Sequence, residues 1–137
     1  MFKKEMFSLN TIKKTGSIDV NNPVGICELN GLEFFFLEFI DSGPMSSNYW
    51  GDFGHQLSNL HKSTSRYFGN REMEIAMTKM VGSFDPSFYE SYNATYPLQN
   101  DWEIRMDFCH MYYHLVNLNN YGIPYLPLIE EQLDKWV

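Results

Sequence analysis

The sequence predicts an α+β domain: a short β-hairpin near the N-terminus, then a mainly helical bundle. Three observations predict it. Asn30-Gly31 stands between two apolar runs, and this pair suits a type I′ turn because both central residues need positive φ. Beyond Pro44 the apolar residues recur at helical rather than alternating spacing. Finally, 137 residues with 44% hydrophobic and 17% aromatic content are enough to bury a core without disulfides or a structural metal.

Each element follows in order. Phe2, Met6, Leu9 and Ile12 form a stripe closed by Gly16, with Lys13 and Lys14 where the helix dipole favours cations. Val24–Leu29 and Leu32–Ile40 are the hairpin arms. The second arm is apolar on both faces, so cover is expected on both sides. Asp41-Ser42-Gly43-Pro44 ends it. Trp50, Phe53, Leu57 and Leu60 mark one helix; Met73, Ala76, Met77 and Met80, closed by Gly82, mark another. Asp85-Pro86 opens a third at about Ser87, which Pro97 ends. Ile104, Phe108, Met111, Leu115 and Leu118 define a long fourth up to Gly122, and Leu126–Trp136 makes a last short helix.

Charge excludes several classes. Ten Lys and Arg against 17 Asp and Glu give a net charge of −7, too few cations for a nucleic-acid face. Residues 1–15 hold four lysines and one glutamate, so the rest carries −10. The basic start reads as a solvated helix face rather than a membrane anchor or signal peptide. No apolar run is long enough to span a membrane. Cys27 and Cys109, far apart, read as reduced and buried, and the expected setting is cytoplasmic.

Motif chemistry is sparse. Asp52-Phe53-Gly54 copies the kinase metal-binding triplet but lies inside a helical stripe with no His-Arg-Asp or His-Gly-Asp before it. His110 and His114, with Asp107 a turn earlier, have metal-ligand spacing. Met111 stands where a zincin has Glu, so an aromatic helix is the simpler account. His55 and His61 fall on different helix faces. Glu72 and Glu74, two apart, point away from each other. From these residues alone no catalytic residue and no metal ligand is assigned.

Two stretches resemble a known family. Gly69-Asn70-Arg71-Glu72-Met73-Glu74-Ile75-Ala76 is similar to the Tyr-Gly-x-Arg-Glu-x-Glu-Leu-Ala segment of fructosamine kinases, also called ketosamine 3-kinases. Gly82-Ser83-Phe84, Phe88-Tyr89-Glu90-Ser91-Tyr92-Asn93, Pro97-Leu98, Trp102, Arg105 and Tyr121-Gly122 follow in family order. Upstream, Phe2-Lys3-Lys4-Glu5, Phe35–Asp41 and Gly54–His61 resemble the family's first helix, lobe-connecting strand and Leu-His helix. The resemblance implies an aminoglycoside-phosphotransferase-like, partly protein-kinase-like fold. Residues 1–43 would be the remnant of the N-lobe and 44–137 that of the helical C-lobe, with a deletion seam near 67–70. It also implies ATP and Mg²⁺ as cofactors, a glycated protein or small ketosamine as substrate, and a role in protein deglycation.

Carried over by position, Glu5 is the helix glutamate that pairs the ATP lysine. Leu37 is the gatekeeper, and the backbones of Glu38 and Ile40 meet adenine. Arg71, Glu72 and Glu74 brace the catalytic loop. The family's His-Gly-Asp-Leu-Trp-x-Gly-Asn loop and its Asp-Pro-Ala metal motif are absent, and only ten positions separate His61 from Arg71. The chain starts after the strand expected to supply the ATP lysine. The resemblance therefore implies a catalytically incomplete family member that does not bind ATP and Mg²⁺ productively. The alternative is a non-catalytic sugar- or protein-binding module. An open hairpin edge is expected to invite self-association.

Overall fold

The computed structural model describes residues 1–64 and 70–136. Residues 67–69 of the expected seam lie outside the described residues. The element order is α1 (Phe2–Thr15), β1 (Pro23–Leu29), β2 (Leu32–Leu37), α2 (Tyr49–Thr64), α3 (Arg71–Val81), α4 (Pro86–Thr95), α5 (Trp102–Tyr121), a 3-10 turn (Ile123–Tyr125) and α6 (Leu126–Leu133). This is the predicted mixture of helices and one antiparallel hairpin. Two compact units result: Met1–Arg66 with Pro86–Tyr96, and Tyr67–Asp85 with Pro97–Val137.

In the first unit α2 packs on α4. Phe88 and Tyr92 of α4 and Ser58 of α2 are fully buried, and His61 of α2 is nearly so. Phe53 stacks obliquely on Phe88 at 5.5 Å, and His61 Nδ1 lies 2.7 Å from the Tyr92 hydroxyl. The helices meet this closely because Gly54 has no side chain; a Cβ there would lie 2.2 Å from the Phe88 carbonyl oxygen. The Asp52-Phe53-Gly54 triplet is thus a helix-packing feature.

The hairpin turns on Asn30 (φ 55°) and Gly31 (φ 78°), with Leu29 opposite Leu32. Its second arm is shorter than predicted. The ladder ends at Leu37, because β1 runs out at Pro23, which has no N–H, after an irregular step between Pro23 and Gly25. The Glu38 N–H turns to the Asn22 carbonyl instead. The expected cover on both faces is also absent among the described residues. α1 packs on one face, where Phe2 stacks on Phe35 at 5.8 Å, and the other face is exposed. Cys27, expected to be buried, lies on that exposed face, whereas Cys109 is buried as predicted.

The second unit is built by α3, α5 and α6 around Ile75, Ala76, Cys109 and Ile129. The α5 stripe forecast the helix correctly but not its inner face. Ile104, Phe108 and Leu115 are exposed, while Arg105, Cys109, His110 and Tyr113 face the packed side and bond or bury against α3. The last helix stops at Leu133, three residues short of the predicted Trp136.

Candidate functional site

The most completely built polar arrangement is the start of α3. Asn70 caps the helix, its side chain accepting from the Glu72 N–H at 3.0 Å. Arg71 donates to the Pro97 carbonyl. Glu72 is buried, and both its carboxylate oxygens accept from Arg105, at 2.8 Å each. Arg105 also donates to the Asn100 carbonyl at 2.8 Å. The fork of two parallel N–H···O bonds holds the Glu72 carboxyl below the ordinary carboxylate range, against the opposing effect of burial. The same bond holds the Arg105 guanidinium above its usual value.

Further along, the Tyr113 hydroxyl donates to the Met73 carbonyl at 3.2 Å and His110 Nε2–H donates to the Ala76 carbonyl at 2.8 Å. That bond fixes the His110 tautomer. Burial pushes the Cys109 and Tyr113 groups up and the His114 imidazole down, the latter aided by His110 and opposed by Glu131. Glu74, the third expected brace residue, is exposed.

The expected adenine-binding edge is less enclosed. Glu38 donates its N–H to Asn22 at 2.8 Å, and its carbonyl accepts from the Asn21 side chain at 3.2 Å. Asn22 links Lys13 to the Glu38 carboxylate through its amide. The Glu38 carbonyl keeps a second lone pair, and Leu37 and Ile40 are 40% and 59% exposed. Glu5 is exposed on α1, with no ion pair among the described residues. No group of three His, Cys, Asp or Glu converges among the described residues to hold a metal ion.

Two adjoining cavities run along α2 in the first unit. One, of about 570 Å³, is lined by Ser17, Asp19, His55, Gln56, Asn59 and Ser63, among others. The other, of about 360 Å³, shares Asp19 and Gln56 with it and adds Tyr49 and Asp52. Thr95 spends its hydroxyl proton on the Ser91 carbonyl, so it accepts from His55 Nδ1–H at 2.8 Å. His55 Nε2 then accepts from Asn59 at 3.0 Å. Sequence reading missed both this cavity and the Glu72–Arg105 pair, whose members are 33 positions apart. For the pair the only signal was Arg105 recurring in family order with the Arg71-Glu72 segment.

A family model described as fructosamine kinase matches residues 1–67 and again 64–137. The chain belongs to the fructosamine kinase family. Among curated members, a probable ketoamine kinase of Lactiplantibacillus plantarum is 39% identical over 70 residues, 51% of this chain and 25% of that protein. A probable ketoamine kinase of Vibrio vulnificus is 35% identical over 104 residues, 72% of this chain and 36% of that protein. The ketosamine-3-kinase of Mus musculus is 30% identical over 59 residues, 43% of this chain and 19% of that protein. The chain spans about a quarter of the length of the first curated fructosamine kinase relatives it matches. No helix among the described residues of this family member is long and apolar enough to cross a membrane.

Proposed function

We propose that this chain carries the scaffold of an ATP-dependent ketosamine 3-kinase, with a partial kinase-like fold, and does not transfer phosphate by itself. On this reading residues 1–43 derive from the nucleotide lobe and 44–137 from the substrate lobe, joined at a seam near 67–70. The parent activity phosphorylates the sugar of glycated proteins or small ketosamines with Mg-ATP, in the cytoplasm, and so serves deglycation. One observation carries the proposal: sequence matched by the family lies on both sides of a ten-residue step from His61 to Arg71, and no His-Gly-Asp occurs in the chain. Phosphoryl transfer rests on positioning and charge neutralisation, so a chain without the base and metal ligands has little with which to lower the barrier. The bonds of Arg71 to the Pro97 carbonyl and of Glu72 to Arg105 support a scaffold role. Glu74, Glu5, Leu37, Glu38 and Ile40 hold the remaining family positions.

Incubating the chain with Mg-ATP and a fructosyl-lysine peptide, read by mass spectrometry, tests this. Unmodified peptide is expected; a peptide carrying one phosphoryl group would overturn the reading. A second reading, a non-catalytic module for a sugar-like ligand, is favoured by the polar cavity of about 570 Å³. Its hydroxyl, amide and carboxylate lining suits a small polyol. Calorimetric titration with a glycated lysine peptide decides: binding heat lost in Gln56→Ala supports it, and no heat at millimolar ligand sinks it.

A further inference from the structure

We propose that two copies of this chain associate through the bare face of the β1–β2 hairpin. In a two-residue loop the flanking pair, Leu29 and Leu32, exchanges hydrogen bonds, so pairs alternate from there. Residues directly opposite share a face. Ile26, Glu28, Glu33 and Phe35 therefore share the face that α1 covers, where Phe2 stacks on Phe35 and the N-terminal amine lies 3.7 Å from Glu33. Gly25, Cys27, Leu29, Leu32, Phe34 and Phe36 share the other. That second face has no charged residue.

Its chemistry points to a copy of itself. A chain of net charge −7 repels its own copies over most surfaces, and an uncharged face is where such contact costs least. The face is also lopsided: on β1 it presents Gly25 and Cys27, and directly opposite on β2 it presents Phe36 and Phe34. A twofold axis lays the bulky half of one copy over the small half of the other, as a self-complementary interface requires. Leu29, Leu32, Phe34 and Phe36 are 41–63% exposed, and neighbouring Val24, Phe39 and Ile40 are 59–86% exposed. At roughly 200 Å² for each large side chain, the four that lie on the face leave on the order of 400 Å² open, about half of one partner's share of a standard interface. The open edges add to this. The outward backbone groups of Glu33 and Phe35 on β2, and of Ile26 and Glu28 on β1, have no strand beside them among the described residues.

Sedimentation equilibrium of the full chain across a concentration series is the test. The expected result is a reversible shift from 16.1 kDa toward twice that mass. Phe34→Glu is expected to abolish the shift with unchanged far-ultraviolet circular dichroism, and Phe108→Glu on exposed α5 to leave it intact. A second readout covers failure of either variant to fold. Maleimide labelling of Cys27 in the unaltered chain slows several-fold as concentration rises, with buried Cys109 as reference. A single mass of 16.1 kDa at every concentration, open-ended growth beyond a dimer, association lost only in Phe108→Glu, or concentration-independent Cys27 labelling would each overturn the proposal.

Discussion

The α3–α5 brace and the β-hairpin come from one short chain, yet their residues are held very differently. At the brace, each polar group of Glu72 has a partner: its N–H goes to Asn70 and its carboxylate to Arg105. In the hairpin, Leu32, Phe34 and Phe36 are exposed, and apolar Ile40 beyond the ladder is exposed too. Local hydrogen bonding and helix packing need few distant segments, because a helix satisfies its own backbone. A strand does not, since its ladder and both its faces need other segments. Within one chain, the helical positions are packed and bonded while the hairpin keeps its ladder and leaves one face exposed.

Substitutions sharpen that contrast. The largest effect is expected inside the helical packing: Gly54→Ala forces α2 from α4 and lowers stability by roughly 3 kcal/mol, read by urea denaturation. Next is the brace, where the two partners should differ. Arg105→Met leaves the Glu72 carboxylate buried without its fork and lowers the melting midpoint by on the order of 10 °C. Glu72→Gln leaves only a half-exposed guanidinium behind and costs roughly half as much. Equal losses would mean that the pair is no better built than a surface bridge.

Acid comes third. The folded Glu72 pKa lies below its ordinary value of 4.5. Its stabilisation is therefore present above pH 4.5 and lost as pH falls from there through the folded value. His114 acts in the same direction at higher pH. Its folded pKa is below 6.5, so the unfolded chain takes up the proton first and stability declines as pH drops below 6.5. Denaturation midpoints from pH 8 to 3 in Glu72→Gln and His114→Phe should each lose one of these two segments. The smallest effects are expected in the hairpin. Phe39→Ser and Ile40→Ser should alter stability by about 0.5 kcal/mol or less, and a larger loss would reveal packing that their exposure does not show.

Much of the fold was legible because its signals are local. The Asn30-Gly31 turn, Gly16 and Gly82 after α1 and α3, and Pro86 at the start of α4 each act within a few residues. What depended on distant neighbours was less legible. The run from Leu32 to Ile40 is apolar enough for a two-sided strand, but no residue in it records that β1 ends at Pro23. The stripe from Ile104 to Leu115 gives a helix period and says nothing about which side α3 occupies. Arg105 finds Glu72 across 33 positions, where spacing carries no signal. For the site, the family resemblance singled out Arg71, Glu72 and Glu74 as braces of a catalytic loop, whereas the bond that ties Glu72 to Arg105 of α5 had no motif. The open cavity beside His55 had no motif at all, because it arises where Gly16–Asp19 meets α2.

The proposal made for this family member is that it retains a scaffold without a working nucleotide site. Thermal denaturation of the full chain with and without millimolar Mg-ATP addresses it most directly. An unchanged midpoint is expected, because Leu37 and Ile40 are exposed and no metal-ligand group converges among the described residues. A rise of several degrees that saturates with Mg-ATP would contradict it, since only ligand bound to the folded state produces such a shift.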